Sequence, residues 1–228
     1  MKKPSVTAFL IAFLLAAAVC THGEEEEVKD SNGNPVKVGE RYFIQPVKTE
    51  SNPGGGLIPY PIRRYQTCPL GITETLDPNQ PGLPVSFGYP FIIGRDTIET
   101  YSYINIEFRP QIWPVCTEFS RLWAVDYSSS AAKEPAIIIG GKRENQNSAF
   151  KIEKATEAHT YKLTTFYSTV GTTPGAFSGA PQLIVTNDEA KTLFVKFVKV
   201  EDDATTATPT TTSRVEKLGL RMFPFNIM

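Results

Sequence analysis

Apolar and polar positions alternate along this chain in short runs: "YFIQPV" from Tyr42, "LPVSF" from Leu83, "YINIEF" from Tyr103, "LWAVDY" from Leu122, "AIIIGG" from Ala136, "FKIEKA" from Phe150, "TYKLTTF" from Thr160, "QLIVT" from Gln182 and "LFVKFVKV" from Leu193. Gly, Pro, Asn, Asp and Ser separate the runs. A period of two is the signature of a half-buried strand, whose successive side chains point to opposite faces. No stretch sustains a helical period with caps, so the pattern predicts an all-β protein, a barrel or a sandwich. "GGGLIPYP" from Gly54 reads as a loop followed by a strand punctuated by proline. A weak threefold echo runs beneath the pattern: "RYFIQPV", "RLWAVDY" and "AFKIEKA" each open a segment of several further short strands.

The first predicted hairpin is the most specified. In "VKDSNGNPVKVGERYFI", residues 28–44, Asn32-Gly33 and Asn34-Pro35 are turn dipeptides: glycine accepts positive φ, Asn and Asp bond back to nearby backbone, and proline presets φ. Val36, Val38, Tyr42 and Ile44 follow as one apolar face, interrupted at Gly39.

The two ends differ from this middle. Lys2 and Lys3 precede an apolar run from Ala8 to Val19 and a small or polar stretch to Gly23, the layout of a signal peptide over residues 1–23, too short to span a bilayer. At the other end "DDATTATPTTTS" from Asp202 is poor in apolar residues and predicts a disordered, Thr-rich tail over 202–228. It closes on an apolar "VEKLGLRMFPFNIM", read as a docking tail or a sorting propeptide.

The net charge of −1 lacks the clustered Lys and Arg that phosphate neutralisation needs, so no nucleic-acid partner is expected. Glu24–Glu27 lack an enclosing geometry for a metal, and neither metal nor cofactor is expected. Catalysis is not expected either. Once the leader is removed His159 is the single histidine, in a turn-like stretch with no assignable nucleophile, orienting acid or oxyanion hole. "GAFSG" has the wrong spacing for a nucleophile elbow, and "IIIGGKRE" lacks the phosphate-loop frame. Cys20 leaves with the leader, so Cys68 and Cys116 remain. In an oxidising route they form a bridge, the alternative being two independent thiols.

Taken whole, Val28, Asp30, Asn32-Gly33-Asn34, Val36, Val38, Tyr42 and Ile44 resemble the N-terminal signature of the plant Kunitz-type (soybean trypsin inhibitor) family, and the resemblance extends over about residues 27–200. It implies a β-trefoil over residues 24–201, a barrel closed by hairpins with threefold pseudo-symmetry. It favours the bridge, since "CPLGITET" and "WPVCTEFSRLWAVD" look like the segments joined by the family's first disulfide. Both cysteines of the family's second bridge are absent, with Phe166 or Tyr167 and Phe177 near their places.

The resemblance further implies a secreted or vacuolar, monomeric inhibitor of serine proteases with no membrane attachment when mature. Such an inhibitor offers one rigid loop as a decoy strand whose P1 side chain fills the protease S1 pocket. The matching interval is "GYPFIIGRDTIETYS", Gly88 to Ser102, with Ile92, Ile93, Gly94, Arg95 and Asp96 at its centre. Arg95 suits an acidic S1 pocket; Ile92 and Ile93 suit apolar ones. Two features point the other way. Gly94 restores backbone freedom, and Val38 stands where inhibitory relatives carry an asparagine that braces the loop. Hence the alternative of a non-inhibitory, miraculin-like or storage- or defence-type Kunitz-like protein that binds something else. A lectin trefoil would require repeated Q-x-W motifs, which Trp113 and Trp123 do not form.

Overall fold

The computed structural model describes residues 25–49, 52–63, 68–91, 94–113, 116–128, 133–175 and 179–201. The expectations placed on the leader, on Ile92 and Ile93, on Phe177 and on the tail from Asp202 fall outside them. Twelve strands occur among the described residues, and the only helical elements there are two 3-10 turns, Gln146–Ser148 and Glu189–Lys191. No helix among the described residues is long and apolar enough to cross a membrane.

Alternation builds the first and last strands. β1 (Arg41–Pro46) buries Tyr42, Ile44 and Pro46 and turns Arg41, Phe43 and Gln45 partly outward. It pairs antiparallel with the chain's final strand, Phe194–Lys199, in a register that sets Ile44 against Phe197. Between them come β2 (Leu57–Tyr60), β3 (Gly71–Glu74), β4 (Val85–Gly88), β5 (Asn105–Phe108), β6 (Trp123–Val125), β7 (Ile137–Ile139), β8 (Lys151–Lys154), β9 (Tyr161–Thr164), β10 (Thr169–Pro174) and β11 (Pro181–Thr186), which makes the final strand β12. All are antiparallel neighbours in one sheet, along the path β5-β4-β1-β12-β9-β10-β11-β3-β7-β6, with β2 added to β3 and β8 to β9. Glu107 of β5 and Leu122, beside β6, are joined by an isolated bridge.

The core holds two aromatic groups. Tyr42, Phe87, Phe197 and Tyr161 form one chain of ring contacts, Phe87 and Phe197 edge-on at 5.1 Å between centroids. Phe108, Trp113, Trp123 and Phe150 form the other. Each fully buried ring contributes about 1.5–3 kcal/mol through apolar burial, and such pairs add about 0.5–1.5 kcal/mol by geometry. Cys68 and Cys116 are bridged, with Cα atoms 5.8 Å apart, which ties the segment before β3 to the segment before β6.

β3 departs from the alternating pattern. All four of its residues are buried, Glu74 among them, because β2, β7 and β11 all pair with it and the loop at residues 52–56 lies across its end. That loop fits only because it is glycine. A Cβ on Gly55 would stand 2.0 Å from the carbonyl oxygen of Thr75, and one on Gly56 2.0 Å from Pro81.

Candidate functional site

β4 and β5 pair from Val85↔Phe108 to Gly88↔Asn105, so the chain between them, residues 89–104, leaves the sheet at the Gly88 end. Its returning arm is held by the opening hairpin. Val28 N–H donates to Ile98 O at 2.8 Å, Ile98 N–H to Val36 O at 2.8 Å, and Thr100 N–H to Glu26 O at 2.8 Å. Isolated bridges join Lys37 to Thr97 and Glu27 to Glu99. Ile98 and Thr100 are wholly buried in this arrangement. The hairpin's turn is built as its residues suggest: Asp30 Oδ1 accepts from the N–H groups of Asn32 and Asn34, each at 2.9 Å, and Gly33 takes a φ of 84°.

Val38 contributes no side-chain donor, yet its backbone N–H donates to Asp96 O at 2.9 Å, and its side chain is 36% exposed rather than packed inward. A second brace escapes sequence reasoning. The Tyr89 hydroxyl donates to Thr97 O at 2.9 Å and accepts from Glu99 N–H at 3.2 Å, so one ring spans the loop from departing to returning arm. Burial pushes the Tyr89 phenol up. Period-two reading places Tyr89 in the loop but gives no direction to its hydroxyl.

The described residues about the centre of the loop are exposed. Phe91 is 68% accessible, and Gly94, Arg95 and Asp96 all face solvent. Gly94 has a φ of 64°, and among the described residues nothing lies within 4 Å of where its Cβ would be. Arg95 does not stand free: its guanidinium contacts Glu99 and lies 3.2 Å from Glu25 Oε2, while Glu25 Oε1 accepts from Ser102 Oγ at 3.4 Å. Arg95 in turn holds the Glu25 carboxyl below its usual range, and the Ser102 hydroxyl assists.

At the other end of the β4–β5 ladder, Arg109 N–H donates to Pro84 O at 2.7 Å, and Ile112, 82% exposed, follows. Next to it Trp113 is packed against Phe108, with the Arg121 guanidinium 5.1 Å from the ring centroid, and its indole Nε1 is buried with no acceptor among the described residues. His159 is an exposed turn residue beside Gly33. Among the described residues, no group of three or more His, Cys, Asp or Glu is placed to hold a metal.

The described residues thus form an antiparallel β scaffold that pins one long surface loop by backbone and hydroxyl bonds. The Kunitz_legume family, described as trypsin and protease inhibitor, matches residues 28–199, and the chain belongs to that family. Over 211 residues it is 62% identical to Kunitz trypsin inhibitor 2 of Arabidopsis thaliana, a match covering 91% of this chain and 97% of the relative. Among solved structures it is similar to a water-soluble chlorophyll protein from Brassica oleracea var. Botrytis with chlorophyll b, at 70% identity and a TM-score of 0.73, covering 77% of this chain and 99% of that one. Soybean trypsin inhibitor, 23% identical with a TM-score of 0.64 over 77% of this chain and 100% of that one, shares the fold.

Proposed function

We propose that this protein is a secreted Kunitz-like binding protein for a chlorophyll-type tetrapyrrole, and that the 88–102 loop is not a strong protease decoy. The observation that carries the reading is Gly94. Its φ of 64° turns the chain directly before Arg95, where a decoy substrate must run extended to add as a strand in a protease cleft. The 70% identical chlorophyll protein supports the ligand class. The described residues offer such a ligand exposed apolar surface where Ile112 lies beside Trp113. Ile112 supplies exposed apolar surface against which a macrocycle can lie. The ligand, when bound, supplies light absorption and a hard magnesium ion that takes oxygen ligands.

Inhibition is the second reading, favoured by the loop's bracing through Val38 N–H and the Tyr89 hydroxyl and by the name of the 62% identical relative. Arg95 is then the P1 residue, with Ile92 and Ile93 as the apolar alternatives. Both readings take the domain as a closed β-trefoil, supported by the Glu107–Leu122 bridge that joins the two ends of the strand path. Both also take residues 1–23 as a leader and 202–228 as a tail outside the domain, on a route to the extracellular space or the vacuole.

One preparation tests both. Purified protein is mixed with detergent-solubilised chlorophyll and passed over a gel-filtration column, and the same protein is titrated against trypsin, chymotrypsin and subtilisin. Co-elution of visible absorbance with the protein at a fixed ratio, without stoichiometric inhibition, is expected. No retained pigment, together with one-to-one loss of trypsin activity that vanishes in Arg95→Ala, overturns the reading in favour of the second.

A further inference from the structure

At the foot of the 88–102 loop lies a pocket of about 90 Å³ that neither reading uses. Asn105, paired with Gly88 at the end of the β4–β5 ladder, lines it and is only 2% exposed. Its Nδ2 donates to the carbonyls of Arg143 at 3.2 Å and Ser148 at 2.8 Å, which fixes the amide's orientation. Oδ1 is therefore the acceptor, and among the described residues no donor reaches it. A buried acceptor left unpaired is costly, and calls for a donor from whatever fills the space.

The more exposed side of the pocket is basic. Arg109 Nη2 at 3.0 Å and Arg143 Nη2 at 3.3 Å converge on the same oxygen, Glu107 Oε2. Two guanidiniums against one carboxylate leave a positive charge and unused N–H donors at the opening. Arg109 is steadied by its Nε bond to Ser86 Oγ at 3.3 Å. Gly88 adds no side chain to the wall, and the Arg143 guanidinium lies across it, 3.6 Å from where a Cβ would be.

We infer that this pocket binds a small oxyanion that also carries an O–H group, with the charged oxygens on Arg109 and Arg143 and the hydroxyl donating to Asn105 Oδ1. The pocket is small, which suits dihydrogen phosphate, hydrogencarbonate or a two-carbon hydroxy acid. The site is distinct from the one in the chlorophyll reading, since neither Ile112 nor Trp113 lines this pocket.

The test is a titration of the purified protein with inorganic phosphate in mildly acidic, low-salt buffer, where the ion is singly charged and keeps its O–H donors, followed by backbone amide shifts. Saturable shifts at Gly39, Gly88 and Asn105 are expected, weakened about tenfold in Arg143→Gln through loss of a charge-assisted pair. Arg143 is half exposed, so this variant keeps its fold; Arg109→Gln serves as a second variant. Sulfate, with the same shape and no O–H, is expected to bind several-fold more weakly. No saturable shift at tens of millimolar phosphate would mean that water fills the pocket and would overturn the inference. So would affinity unchanged in both arginine variants. Equal affinity for sulfate and phosphate would overturn the role given to Asn105.

Discussion

Asn52 donates its Nδ2 to Glu74 Oε1 at 2.7 Å, and this is the one hydrogen bond reaching the Glu74 carboxyl among the described residues; Oε2 is buried with no partner. The same Asn52 accepts from Gly54 N–H through Oδ1 at 2.8 Å. One amide thus links the glycine loop to the buried end of β3.

Burial pushes Glu74 up to about 7, with the Asn52 bond opposing. The folded state therefore holds a proton that the unfolded chain releases near 4.5. Stability from this group is complete below that value, falls as pH rises, and is lost through about pH 7; the difference is about 3 kcal/mol. Glu74→Gln keeps an acceptor for Asn52 and never ionises. Denaturant titrations at the acidic and alkaline ends of this window are expected to differ less in the variant, which gains at the alkaline end. An unchanged difference would show that Glu74 is not the titrating group.

The disulfide spans 48 residues between Cys68 and Cys116. Removing a constraint of that length from the unfolded chain costs about 4 kcal/mol in the chain-entropy picture. Cys68→Ala with Cys116→Ala is expected to lower the free energy of unfolding by about 2–4 kcal/mol while preserving the far-ultraviolet spectrum, because the strands on either side are paired independently of it. A loss under about 1 kcal/mol would mean that the unfolded chain is already constrained there.

Two buried phenols hold the opening hairpin. Lys29 N–H donates to the Tyr161 hydroxyl at 2.7 Å, and Lys37 N–H to that of Tyr42 at 2.9 Å. Burial pushes both phenols up. Phenylalanine at either position keeps the ring contacts and leaves a backbone N–H unpaired, at about 1–3 kcal/mol. Faster amide exchange is expected at Lys29 in Tyr161→Phe and at Lys37 in Tyr42→Phe, each confined to its own arm. Equal acceleration at both amides in either variant would mean that the hairpin opens as a unit.

Strands with one covered face were legible because covering one face is what writes a period of two: β1 and β12 stand where Tyr42, Ile44, Val195 and Phe197 put them. β3 and β10 were not. "GITE" is covered on both faces and "TVGTTP" is small and polar, so neither carries an alternating record. The loop interval was legible from the strands that flank it. Its supports were not, since the Arg95–Glu25 pair spans 70 residues and the Tyr89 bonds depend on where a ring turns, and neither leaves a local pattern.

Arg95 is held by Glu25 and Glu99, and Gly94 bends the chain just before it. On the reading proposed above, both arrangements keep the Arg95–Asp96 bond out of a protease cleft, and they can be separated. Exposed ion pairs are weak, so Glu25→Gln with Glu99→Gln is expected to raise trypsin cleavage after Arg95, or inhibition, only a few-fold. Gly94→Ala meets no clash, but alanine disfavours the left-handed conformation by about 1–2 kcal/mol. That strain tips the segment toward the extended form a protease accepts, so the larger increase is expected from Gly94→Ala, read by mass spectrometry of the cleavage product and by trypsin titration. If the charge variant gained and the alanine variant did not, the brake on this loop would be the ion pairs and not the backbone.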